Sequence, residues 1–201
     1  MNKMQKKSNK TLIINLFGGP SAGKSTTAYY LCGELKSMGL NCELATEYVK
    51  DLVYEKRTHD ISNQITCFGE QLRRIERLVE QVDIIITDSP LLLNAFYNRS
   101  KYDHLVPLVV EVHRSYNNVN YFLERAFEFH SEGRIHTEEQ SKAIDEGVKK
   151  LLNEFGEPYS IIKGDNNSRY SIISDLTLHN KRFQELLSKS VKPVMADKES
   201  V

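Results

Sequence analysis

No charge of one sign prevails in this chain of 201 residues, where lysine plus arginine count 27 and aspartate plus glutamate also count 27. A balanced surface builds no long-range field, so bulk attraction to polyanions or to a membrane is excluded and any nucleic-acid contact has to be local. Long apolar runs are missing as well. The longest, Thr11 to Phe17 and Val82 to Ile86, are of strand size and far too short to span a bilayer. The first ten residues are polar and basic with no apolar segment or cleavage site, so no signal peptide is expected. Cysteine is scarce: Cys32, Cys42 and Cys67 are odd in number and lack CxxC spacing, which argues against structural zinc and for a reducing, cytoplasmic compartment. They read as small core residues. There is neither an internal repeat nor a low-complexity linker.

A chain of this length with 40% hydrophobic residues can bury one substantial core, and a single domain over residues 11–190 is expected. Residues 1–10 read as a flexible arm and 191–201 as a flexible tail. Between them strand and helix patterns alternate. Thr11 to Phe17 is a continuous apolar run, as in a strand covered on both faces. Ala28, Leu31, Leu35 and Met38 then recur at helical spacing up to the stop at Gly39. Asn41 to Thr46 is a second strand with Glu47 and Tyr48 at its carboxyl end. From Asp60 as N-cap, the positions Ile61, Ile65, Phe68, Leu72, Ile75 and Val79 form an apolar stripe on a long helix. Val82 to Thr87 is the third strand, ending in Asp88-Ser89-Pro90. Tyr102 to Val110 predicts a helix, Asn118 to Leu123 a fourth strand, and Pro158 to Ile162 a fifth, with a last helix through Phe183, Leu186 and Leu187. Thr137-Glu138-Glu139-Gln140 has the form of a capping box, opening a helix with Ile144, Val148 and Leu151 inward. The expected fold is α/β: a doubly wound, five-stranded parallel sheet with helices on both faces and a small lid over about 124–137.

Gly18 to Ser25 meets every element of GxxxxGK[ST], between an apolar strand and an amphipathic helix. A glycine turn alone would say little; the two flanks give it context. Gly19, Pro20, Ser21, Ala22, Gly23, Lys24, Ser25 and Thr26 are therefore assigned to the phosphates of ATP. The glycines let amide hydrogens point at an anion and the following helix adds its positive end. Lys24 would contact the β- and γ-phosphates, and Ser25 would give its hydroxyl to Mg²⁺.

The reaction class follows from what accompanies the loop. The guanine-reading Asn-Lys-x-Asp of GTPases is missing, since Asn180-Lys181 continues as Arg182-Phe183. A motor or AAA-type ATPase usually sets Glu after its strand-end Asp and carries further sensor elements on a larger chain. Here Asp88 is followed by Ser89. A small-molecule kinase fits the size. Asp88 is the candidate Mg²⁺ ligand, the alternative being a helix N-cap. Glu47 could accept the proton of an attacking hydroxyl or hydrogen-bond the acceptor, or simply be a first-turn acid on a helix dipole. Arg125 and Arg134, with His130 and His136, mark the lid; a cation there would stabilise charge on the transferring phosphoryl group, whereas a solvated charge cluster needs no such role. Tyr48 stacks on a base or packs in the fold; Gln71, Gln64 and Arg74, off the apolar stripe, could reach an acceptor, whereas Arg73 and Arg77 read as a solvated helix face.

Phe17 to Thr26, Thr46-Glu47-Tyr48-Val49, Gln71 and Ile86 to Leu91 together resemble the NadR-type nicotinamide riboside kinases among P-loop proteins. The resemblance spans roughly residues 11 to 95. In related deoxynucleoside and polynucleotide kinases a carboxylate ending the second strand is the acceptor's base, which the resemblance carries to Glu47. Asn120 to Asp145 is similar to phage-encoded kinases of the same superfamily, some of which phosphorylate 5-hydroxymethyluracil in DNA, and a phage protein would work in the host cytoplasm. The sequence thus reads as an ATP- and Mg²⁺-dependent kinase with Lys24, Glu47, Asp88, Arg125 and Arg134 as catalytic candidates and Glu47, Tyr48 and Gln71 toward the acceptor. That acceptor is a nucleoside, a nucleotide or a modified base in DNA. A regulatory, nucleotide-operated ATPase is the alternative. No membrane partner is expected, and oligomeric state is unreadable.

Overall fold

The computed structural model describes residues 11–98, 102–126 and 137–190. Five parallel strands, β1 (Leu12–Phe17), β2 (Cys42–Ala45), β3 (Ile84–Thr87), β4 (Asn117–Arg125) and β5 (Ser160–Gly164), form one sheet in the order β2-β3-β1-β4-β5. All five expected strands are present. β1 is central and buried along its whole length, as a run that is apolar except at Asn15 requires.

Period-two alternation along β1 separates two cores. Leu12, Ile14 and Leu16 join one with α1 (Lys24–Ser37), α7 (Ser168–His179) and α8 (Lys181–Ser190). Ile13 and Phe17 join the other with α3 (Gln64–Glu76), α4 (Leu92–Tyr97), α5 (Leu105–Arg114) and α6 (Glu138–Glu154). Asn15 shares the second face. Its amide donates to Asn118 Oδ1 at 2.9 Å and Asn120 Oδ1 at 3.0 Å. Asn120 in turn donates to the Pro158 carbonyl, and Asn118 to that of His113. A polar ladder thus crosses an otherwise apolar layer with its amides paired.

Several boundaries differ from the sequence expectation. A short helix, α2 (Tyr48–Tyr54), follows β2, and residues Thr58–Ser62 form a 3₁₀ turn. The long helix therefore starts later. Its N-cap is Asn63, whose side chain accepts from the Thr66 amide, not Asp60, and Ile65 is 52% exposed rather than part of the stripe. Gln64 and Gln71, off the stripe, are buried, at 6% and 2% exposure, while Arg73 and Arg77 lie exposed on the solvated face. The last helical pattern is two helices, the second opened by Asn180, whose side chain accepts from the Phe183 amide. On α6 the capping box between Thr137 and Gln140 is present, and the inward positions are Ile144, Val148 and Leu152.

The expected arm 1–10, the tail 191–201 and the segment 127–136, with His130, Arg134 and His136, lie outside the described residues. The lid expectation of 124–137 begins too early, because Glu124 and Arg125 are the last residues of β4. No helix among the described residues is long and apolar enough to cross a membrane.

Candidate active site

The site is built on the carboxyl ends of β1, β3 and β2, next to one another in the sheet, and on α1, which starts at Lys24. Gly18 to Ser25 wraps between β1 and α1. Ser21 and Gly23 both have positive φ, 63° and 87°, and the Ala22 amide between them donates to the Gly19 carbonyl at 3.3 Å. Gly23 is needed on steric grounds too, since a Cβ there would sit 3.1 Å from the Gly164 carbonyl oxygen at the end of β5. Lys24 Nζ reaches back over the loop, donating to the carbonyls of Gly18 at 2.7 Å and Gly19 at 2.9 Å. Thr26, next after Ser25, is exposed on the first turn of α1.

Asp88 joins the loop to the second strand. It is 5% exposed, directly after β3. Its Oδ2 accepts from Ser25 Oγ at 2.5 Å and its Oδ1 from the Glu47 amide at 3.1 Å. One carboxylate therefore touches both the start of α1 and the turn after β2. A hydroxyl beside a buried carboxylate, at the mouth of a phosphate loop, is the donor set that suits Mg²⁺. That ion usually takes one or two protein oxygens and completes its shell with phosphates and water. Among the described residues no group of three His, Cys, Asp or Glu side chains could hold a metal by itself.

Glu47 stands at the N-cap position of α2 in extended conformation, without a side-chain capping bond. Its turn is held from behind by α3. Gln71 accepts from the Tyr48 amide at 2.9 Å and donates to the Thr46 carbonyl at 3.3 Å. Arg74 donates to Thr46 Oγ1 at 3.1 Å, pairs with Asp51, and lies 5.5 Å from the Tyr48 ring centroid. Gln71 thus spends both ends of its amide on the turn that carries Glu47. Its burial is invisible to periodicity because a glutamine on a helix reads as solvated until the turn it serves is known.

On the other side of the loop, Arg125 at the end of β4 donates to the Pro20 carbonyl at 2.6 Å and to Asp145 Oδ2 at 2.8 Å. Asp145, on α6, accepts from the Gly19 amide with its other oxygen. Sequence reasoning misses Asp145. Nothing local marks a carboxylate whose partner is 126 residues away. The structure therefore brings together Lys24, Ser25, Glu47, Asp88 and Arg125 around one loop, with Tyr48 and Gln71 beside Glu47; Arg134 falls outside the described residues.

A family model described as an AAA domain matches residues 13–169, most of the chain. The chain belongs to the AAA domain family. The family carries the AAA description that Ser89 after Asp88 and the short chain argue against in the sequence, and on kinship the match prevails. Among solved structures, a thymidylate kinase from Ehrlichia chaffeensis superposes with a TM-score of 0.59 at 13% identity, covering 83% of this chain and 98% of that one. A deoxyadenosine kinase from M. mycoides, solved with bound dATP, gives 0.55 at 14% identity, covering 82% and 98%. These likenesses establish the fold, an α/β P-loop kinase fold with a five-stranded parallel sheet. No curated protein matches the sequence.

Proposed function

We propose that this AAA-domain chain is an ATP- and Mg²⁺-dependent phosphotransferase that moves the γ-phosphate onto a hydroxyl of a nucleoside, a nucleotide or a modified base in DNA. The observation that carries the reading is the double engagement of Asp88, with Ser25 on one oxygen and the Glu47 turn on the other. A protein that only hydrolyses ATP has no need to tie its metal carboxylate to the backbone of the turn that carries a second carboxylate at the neighbouring strand end. A kinase has, because donor and acceptor must meet in line.

In this reading the loop amides cradle the polyphosphate, Lys24 leaves the Gly18 and Gly19 carbonyls for the β- and γ-phosphates, and Ser25 and Asp88 hold Mg²⁺. The ion, when bound, neutralises charge on the phosphate oxygens. Glu47 accepts or orients the proton of the attacking hydroxyl. Gln71 and Arg74 keep that carboxylate's turn in place, and Tyr48 borders the acceptor side. Residues 127–136, with Arg134, are proposed as the lid of a single domain over 11–190. The names of the two kinase neighbours and the sequence resemblance to NadR-type and phage kinases support a nucleoside-type acceptor.

The test is transfer of labelled γ-phosphate from ATP to a panel of nucleosides, mononucleotides and hydroxymethyluracil-containing DNA. Label appearing on one class names the acceptor. The AAA description favours a second reading, a regulatory ATPase without small-molecule acceptor. Hydrolysis at the same rate with and without every acceptor, together with nucleotide-dependent capture of a protein, would establish that second reading instead.

A further inference from the structure

Two consecutive residues of the phosphate loop are held by one ion pair that belongs to neither the loop motif nor the acceptor side. Asp145 Oδ1 accepts the Gly19 amide at 2.5 Å, Asp145 Oδ2 accepts Arg125 Nη2 at 2.8 Å, and Arg125 Nη1 donates to the Pro20 carbonyl at 2.6 Å. The pair is largely shielded, with side-chain exposures of 11% for Arg125 and 14% for Asp145. Charge-assisted bonds in such surroundings are short and strong, and removing one member leaves the other charge uncompensated.

Steric fit points the same way. A Cβ on Gly19 would lie 2.7 Å from both Asp145 Oδ1 and the Ser141 carbonyl oxygen, so α6 rests directly on this limb of the loop. Ser141, one helical turn before Asp145 and fully buried, is small enough to let the helix backbone come that close. An isolated carboxylate so near a polyphosphate site would repel its ligand. Arg125 neutralises it, and what the loop receives from the pair is shape rather than net charge.

We propose that Asp145, together with Arg125, is a positioning residue that presets the Gly18–Pro20 limb for a polyphosphate and ties it to α6, the helix entered directly after residues 127–136. This deepens the kinase reading and rests on its donor half. The consequence is a selective one. Loosening the limb is expected to weaken binding of the polyphosphate chain and to spare the nucleoside part, since the two residues held, Gly19 and Pro20, belong to the phosphate loop.

Calorimetric titrations of wild type, Asp145→Ala, Asp145→Asn and Arg125→Gln with Mg²⁺-tripolyphosphate, Mg²⁺-ATP and adenosine test this. Asp145→Ala and Arg125→Gln are expected to raise Kd for tripolyphosphate and ATP about tenfold or more, the scale of a lost charge-assisted bond, with adenosine unchanged. Asp145→Asn keeps an acceptor for the Gly19 amide and falls between wild type and alanine. It also serves as the measurement should the alanine variant fail to fold. Unchanged tripolyphosphate affinity, or ATP and adenosine weakened in equal proportion, overturns the proposal. Binding is read apart from transfer: wild type that binds tripolyphosphate yet labels no acceptor sinks the kinase reading and leaves Asp145's role standing, while intact transfer with insensitive binding does the reverse.

Discussion

Ser25 Oγ donates to Asp88 Oδ2 at 2.5 Å, so the hydroxyl at the start of α1 and the carboxylate directly after β3 already meet at the point where both would hold a cation. Alanine at Ser25 removes the hydroxyl from that point, and asparagine at Asp88 removes the negative charge. Asp88→Asn and Ser25→Ala are each expected to lower phosphate transfer about 10- to 100-fold at limiting Mg²⁺, with partial recovery as Mg²⁺ is raised, because support of a bound ion is worth that much in affinity. Initial rates across a magnesium series decide it. A loss that no magnesium concentration relieves would assign Asp88 to something other than the ion.

Gln71 acts one step behind the chemistry. Leucine in its place keeps the volume but leaves the Tyr48 amide without its side-chain partner and the Thr46 carbonyl with Arg74 Nη1 at 3.4 Å in place of two donors. Expected effects are about 1–3 kcal/mol of stability, the scale of a buried polar group left unpaired, and a fall in kcat as the Glu47 turn loosens. ATP affinity should hold. Chemical denaturation and separate kcat and KM values for donor and acceptor check this, and a variant that loses ATP binding instead would place Gln71 in the donor half.

Much of this site is legible in the sequence alone. The loop declares itself by spacing. β1 and β3 declare themselves by apolar runs, interrupted in β1 by Asn15, and Thr137 by its glutamine three residues on. What the sequence hides are contacts whose two ends are far apart along the chain or whose residue type misleads. Gln71 and Gln64 look like surface and are core; Asp145 looks like one acid among many on α6 and is clamped to Gly19. α2 escapes because seven residues with no regular stripe, beginning soon after a strand, carry too little periodicity to separate from a loop. The Asp60 start for α3 fails because Asp60 and Asn63 are both good caps, and only the intervening 3₁₀ turn selects the later one.

His113 gives the fold a pH dependence. It is buried to 1% exposure, and burial pushes its pKa down to about 4, against a partial upward pull from Glu157, 3.6 Å away. The folded protein therefore holds His113 neutral while the unfolded chain takes up a proton below about 6.5. Stability from this residue is complete above that value and is lost as pH falls from about 6.5 to about 4, amounting to about 3 kcal/mol at the lower end. Urea midpoints measured between pH 7 and pH 4 should fall, and should fall less steeply in His113→Leu. Parallel curves for the two proteins would clear His113 of the effect.

Gly164 closes β5 against the loop. A Cβ there would lie 2.4 Å from the Ala22 carbonyl oxygen and 3.0 Å from that of Glu124, and both are backbone atoms that yield only by moving the loop or β4. Gly164→Ala should keep the sheet, seen in an unchanged far-ultraviolet dichroism spectrum, and lose most of the thermal shift that ATP gives to wild type. An undiminished shift would mean that the loop tolerates displacement at Ala22.

The Asn15, Asn118 and Asn120 amides do more than satisfy one another. Were β4 to pair with β1 one residue out of step, these amides would swap faces with apolar neighbours and the ladder would be left unmet in the core, at about 1–3 kcal/mol for each stranded group. Apolar side chains of similar size would tolerate such a slip far more readily. The ladder therefore works as a proofreader of strand alignment, rejecting misthreaded sheets during folding, in the pair of strands whose ends carry the Gly18 loop on one side and Arg125 on the other.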